Sequence, residues 1–140
     1  MVVLFVCTGN TCRSPMAELY FNFLMKQCGA EHSASSAGLS AFAGGNISGH
    51  SAEVLAENGI DSSHFRSSAL TRYALDEADM VITMTGSHKD AIVSCCPEYA
   101  GKVKTLLDGM DVPDPYGGTV DDYRAVFLVI KDAVARLAKK

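Results

Sequence analysis

The chain opens with an unbroken apolar run, Val2-Val3-Leu4-Phe5-Val6. Thr8-Gly9-Asn10 ends it at once, and from Ser14-Pro15 onward apolar residues recur every three or four positions. A strand without polar alternation is buried on both faces, as in a parallel sheet covered by helices. Ser14-Pro15 predicts an N-cap followed by proline at the first helical position. Met16, Leu19, Tyr20, Phe23, Leu24 and Cys28 then share an apolar face, and Gly29 is the expected stop. The alternation continues with a short strand at 33–36, a helix around Ala52, Leu55 and Ala56 that stops at Asn58-Gly59, and a short helix at 71–78. A strand at 80–84, a helix at 87–95 and a last strand at 102–107 follow. The final helix carries Val126, Phe127, Ile130, Val134 and Leu137 as a stripe. Alternating strands and helices predict an α/β, three-layer fold: a four-stranded parallel, doubly wound sheet flanked by helices. In such sheets the ligand sits beyond the carboxyl ends of the strands, where strand order reverses. The first strand runs into Cys7.

With 140 residues, there is room for one domain, 1–140, and no repeat or linker divides it. Apolar residues make up 48% and charged residues 20%, enough for a packed core. The net charge of −4 offers no broad basic surface, so nucleic acid and anionic membranes are not expected partners. The first apolar run is too short for an export signal, and no run is long enough to span a membrane. Five cysteines (Cys7, Cys12, Cys28, Cys95 and Cys96) make an odd set for a disulfide framework. The expected setting is the cytoplasm, where cysteines are catalytic, redox-active or simply buried.

Cys7 and Arg13 lie in Cys7-Thr8-Gly9-Asn10-Thr11-Cys12-Arg13-Ser14, a Cys-x5-Arg spacing between a strand end and a helix start. A loop so placed can turn the backbone N–H groups of Thr8, Gly9, Asn10, Thr11 and Cys12 inward as an anion nest. The helix N-terminus adds free N–H groups and partial positive charge. Gly9 permits a positive φ and Asn10 tolerates one. Arg13 offers a planar fork to two phosphoryl oxygens. The same positive field favours a Cys7 thiolate, placed for in-line attack on phosphorus. Ser14 can donate to that sulfur and ease its departure in the second step. A nucleotide P-loop is excluded because Gly-x4-Gly-Lys-Ser/Thr is absent.

Residues Val6 to Glu18 resemble the phosphate loop of the low-molecular-weight protein tyrosine phosphatases. The similarity extends to Ser36-Ala37-Gly38, to Ala78-Asp79-Met80-Val81-Ile82-Thr83-Met84 and to Asp114-Pro115-Tyr116. It implies a metal-free cysteinyl-phosphate mechanism, with no cofactor expected and with Asp114 as general acid, on a loop that two prolines stiffen. It also implies that Asn10, Ser36 and His64 support the loop, and that Cys12 pairs reversibly with Cys7 against over-oxidation. His32, His50 and His88 are expected at the surface. The implied partners are phosphorylated proteins as substrates and inorganic phosphate as product, with the enzyme acting as a monomer.

Thr11 bears on which phosphate is cleaved. The tyrosine phosphatases commonly place an aliphatic residue there, and a threonine resembles the protein arginine phosphatase branch. A hydroxyl can hold a polar guanidinium edge where isoleucine offers only methyls. Tyr116 is a lone aromatic on the acid loop, which leaves less surface for stacking a phenyl ring. Phosphoarginine is therefore favoured, with phosphotyrosine as the alternative. The arsenate reductases of this fold relay a disulfide to cysteines after the third strand, and Thr83 to His88 contains none. A non-catalytic phosphate-binding module needs neither thiol nor acid.

Overall fold

The computed structural model describes residues 1–139. Four strands, β1 (Val2–Cys7), β2 (Ser33–Gly38), β3 (Met80–Thr83) and β4 (Val103–Thr105), form one sheet in the order β2-β1-β3-β4. Every pairing is parallel, with Cys7 opposite Gly38 and Val6 opposite Thr83. Among the described residues the helices are α1 (Arg13–Cys28), α2 (Gly49–Glu57), α3 (Arg72–Glu77), α4 (Gly86–Cys95) and α5 (Val120–Ala138). A 3-10 segment, Pro97–Lys102, leads into β4.

The apolar opening of the chain is sorted by strand geometry. Val3, Phe5 and Cys7 face one way and pack with Met16, Phe21, Ile82, Phe127 and Ile130 from α1, β3 and α5. Leu4 and Val6 face the other way, with Leu75, Val81, Ile92 and Val103. Both layers exclude water, which is why the run carries no polar residue. Phe5 and Phe21 meet edge to face with centroids 6.2 Å apart.

Caps follow side-chain chemistry. Ser48, Thr71 and Thr85 accept from backbone N–H groups at the starts of α2, α3 and α4. Thr119 and Asp122 form a capping box at α5. Helix α1 departs from expectation. Its N-cap is Cys12, without a side-chain cap bond. Ser14 lies one residue inside the helix, its hydroxyl engaged with Cys7 and Asn10. Cys28 is the last residue of α1 and is exposed rather than packed; Cys95 is also exposed and Cys96 buried.

The sheet places two loops side by side at its carboxyl edge. The chain leaves β1 toward α1 on one face and leaves β3 toward α4 on the other, so the crevice between them is the switch point. Cys7 is the last residue of β1 and borders it.

Candidate active site

Cys7 is 2% exposed at the floor of the loop that wraps from β1 into α1. Its Sγ lies 2.9 Å from Ser14 Oγ. Asn10 Nδ2 donates to that same Ser14 oxygen (2.8 Å) and to Ser36 Oγ (2.8 Å). Ser36 donates onward to Glu18 Oε1 at 2.6 Å. Asn10 Oδ1 accepts from the Ser68 N–H at 2.8 Å, which fixes the amide's orientation. The polarity of the network is thereby set. With its oxygen already accepting from Asn10, the Ser14 hydroxyl has its proton free for the Cys7 sulfur.

Asn10 is fully buried and has φ 54°, the one non-glycine residue with positive φ among those described. Gly9 does not adopt positive φ, contrary to expectation. The left-handed turn falls on Asn10, whose short amide tolerates it and whose three side-chain hydrogen bonds anchor it. Gly38 is needed for space: a Cβ there would stand 2.6 Å from Thr8 O and 2.9 Å from Asn10 N. The Cys7 and Thr8 carbonyls accept from Leu39 N (3.0 Å) and Ser40 N (2.9 Å), tying the loop to the chain leaving β2. Its second half is held by α2, where Ser48 N donates to Thr11 O at 2.8 Å. Thr11 is half-buried and its Oγ1 lies 3.7 Å from Cys12 Sγ.

Arg13 is 5% exposed and donates through Nη1 to Val112 O at 3.1 Å. Its Nη2 lies 3.7 Å from Asp114 Oδ2. Two segments of chain thus meet here, the loop that carries Cys7 and Arg13 and the loop that carries Asp114. Asp114 is about half exposed, and its Oδ1 accepts from Tyr116 N at 3.1 Å. The Tyr116 ring stands 81% exposed. Cys12 is buried, with Sγ 3.4 Å from Tyr123 Oη. Burial, with the Cys12 contact adding, pushes the Tyr123 phenol up.

His64 is exposed and lies outside the Glu18–Ser36–Asn10–Ser14 network; its charge acts on Glu18 from a distance. Glu18 itself was not singled out from sequence. Burial raises its carboxyl, while the Ser36 bond and His64 oppose the shift. His88 is not a surface residue as expected. It is 6% exposed, with Nε2 2.9 Å from Thr8 Oγ1. A helical Glu and a histidine three residues into a helix carry no signal of their own, and only the folded loop shows what they touch. Among the described residues, no group of three His, Cys, Asp or Glu is placed to hold a metal ion.

Comparison with known proteins agrees with this geometry. The family model described as low molecular weight phosphotyrosine protein phosphatase matches residues 2–140. A protein-arginine-phosphatase of Geobacillus stearothermophilus is 44% identical, over 99% of this chain and 94% of its own length. One of Bacillus subtilis is 39% identical, over 100% of this chain and 96% of its own. Among solved structures, a YwlE arginine phosphatase superposes with TM-score 0.95 at 39% identity, covering 99% of this chain and 94% of that one. It is a variant with serine at the active-site cysteine, and that serine is phosphorylated. The chain belongs to the low-molecular-weight phosphotyrosine protein phosphatase family and is a protein phosphatase of that type.

Proposed function

We propose that this protein removes phosphate from phosphoarginine side chains of proteins, with Cys7 as nucleophile, Asp114 as general acid and base, and Arg13 with the N–H groups of residues 8–12 as the phosphoryl cradle. The carrying observation is the convergence of a buried thiol 2.9 Å from a hydroxyl, a buried guanidinium and a half-exposed carboxyl at one sheet edge. In the first step the Cys7 sulfur bonds to phosphorus and the P–N bond breaks. Asp114 delivers its proton to the departing guanidinium nitrogen. In the second, water attacks phosphorus, Asp114 takes a water proton, and the S–P bond breaks to return the thiolate and inorganic phosphate. Ser14 stabilises that sulfur as it leaves. Asn10, Ser36 and Glu18 hold Ser14 and the loop in shape, with His64 contributing charge alone.

Thr11 supports phosphoarginine over phosphotyrosine, since its hydroxyl stands on the loop where an aliphatic residue would offer only methyls. Asp114 supports it too, as its carboxyl can accept from a guanidinium N–H through one oxygen and deliver its proton to nitrogen from the other. The names of the Geobacillus and Bacillus relatives point the same way. Phosphotyrosine is the second reading, favoured by the free Tyr116 ring, which can stack on a phenyl group. Cys12 serves as redox partner of Cys7: an oxidant such as peroxide would remove two electrons and two protons from the pair, and the disulfide would shield the nucleophile reversibly. Residues 1–140 act as one catalytic domain, as a monomer in the cytoplasm, using neither metal nor nucleic acid. All five cysteines are free thiols, which suits a reducing compartment, and no described helix is long and apolar enough to cross a membrane. The test is kcat/KM on one protein phosphorylated on arginine and one phosphorylated on tyrosine. Phosphoarginine is expected to be the better substrate, and a clear preference for phosphotyrosine would reverse the assignment.

A further inference from the structure

The switch-point crevice between the loops leaving β1 and β3 is crossed by a side-chain hydrogen bond, Thr8 Oγ1 to His88 Nε2 at 2.9 Å. Thr8 contributes the first N–H of the phosphate cradle, next to Cys7. His88 is in the first turn of α4, where its own N–H is capped by Thr85 Oγ1 at 3.1 Å. The imidazole is almost wholly buried, and its Nδ1 has no hydrogen-bond partner. An unpaired buried acceptor costs less than an unpaired buried donor, so the proton belongs on Nε2 and is donated to Thr8. Burial, then Arg13, push the ring's pKa down from the ordinary 6.5, while Asp111 and Asp114 oppose. A neutral imidazole with one donor fits those surroundings. The same helical turn holds a second loop: Gly86 N donates to Asp111 Oδ1 at 2.9 Å, three residues before Asp114.

We propose that His88 is a positioning residue, which through the Thr8 hydroxyl fixes the first peptide of the phosphate cradle against α4, the helix from which the Asp114 loop also hangs, and so sets nucleophile and acid in register. The inference rests on the assignment of Cys7 and Asp114 above. The Leu39 and Ser40 N–H groups hold the Cys7 and Thr8 carbonyls from the β2 side, and the His88 bond ties the same stretch to α4 on the other side.

The test is a double-mutant cycle on turnover of an aryl phosphate, with melting temperature recorded for each variant. An aryl phosphate keeps the outcome independent of the phosphoarginine assignment. Thr8→Val and His88→Asn should each lower kcat about tenfold, the cost of a misplaced cradle, with KM changed less than about twofold. The double variant should be no slower than the slower single one. His88→Gln, whose amide nitrogen reaches the Nε2 position, should recover most of the rate, whereas the shorter asparagine should not. Thr8 is exposed, so Thr8→Val remains informative even if His88→Asn folds poorly. An unchanged kcat in Thr8→Val would overturn the proposal, as would losses that multiply in the double variant or a glutamine no better than asparagine. A wild-type protein without turnover would instead reject the reading of Cys7 and Asp114.

Discussion

A sulfur 2% exposed and 2.9 Å from the Ser14 hydroxyl suits the role proposed for Cys7, to attack phosphorus and then to leave it. Cys7→Ser replaces that leaving group with an alkoxide and should lower kcat by at least about a thousandfold, while inorganic phosphate still binds, because Arg13 and the loop amides remain. Steady-state kinetics and phosphate titration check both halves. Asp114→Asn retains the shape of the acid but cannot donate a carboxyl proton. Its kcat should fall about a hundredfold or more on substrates with poor leaving groups and much less on an activated aryl phosphate. Equal losses on both would remove Asp114 from proton transfer. At this scale the placing of Cys7, Arg13 and Asp114 at one sheet edge was legible because each belongs to a local pattern, a spacing or a proline-flanked turn. Glu18 and His88 were not, since they act through contacts 18 and 80 positions away in the chain.

The elements carry strain and space requirements that single residues conceal. Gly38 ends β2 where the phosphate loop passes overhead, and an added Cβ would meet Thr8 O at 2.6 Å, Ala41 Cβ at 2.8 Å and Asn10 N at 2.9 Å. Two of those atoms are backbone and cannot rotate away. Gly38→Ala should cost about 1–3 kcal/mol in urea unfolding, and should reduce kcat further than the stability loss alone, because the displaced atoms belong to the cradle. Helix α4 predicts a pH effect on stability. His88 has a folded pKa below its unfolded value, so its contribution is present above 6.5 and is lost as pH falls through the depressed value. Melting temperature should therefore drop on acidification below 6.5, and less steeply in His88→Gln. The alternation of strands and helices was readable because periodicity reports burial. The boundary at Ser14 was not, because cap preference assumes a hydroxyl free to cap, and this one is drawn to Cys7 and Asn10.

For the whole molecule, four parallel strands and the helices on their two faces bring together three distant segments: the turn after β1, the turn after β3 and the loop before α5. The proposed cradle lets an acidic chain collect an anion, because it uses local N–H groups, one helix end and one arginine instead of a basic surface. The proposed substrate choice belongs to this scale, since Thr11 stands on the loop after β1 while Asp114 and Tyr116 stand on the loop before α5. Thr11→Ile should shift the ratio of phosphotyrosine to phosphoarginine activity upward about tenfold, and an unmoved ratio would exclude Thr11 as its determinant. The most direct measurement is to mix the wild-type protein with an arginine-phosphorylated protein, quench during turnover and locate the enzyme-bound phosphoryl group by mass spectrometry. A phosphoryl group on Cys7 that decays to inorganic phosphate is the expected result. Turnover without phosphate on Cys7, or phosphate on any other residue, would contradict it.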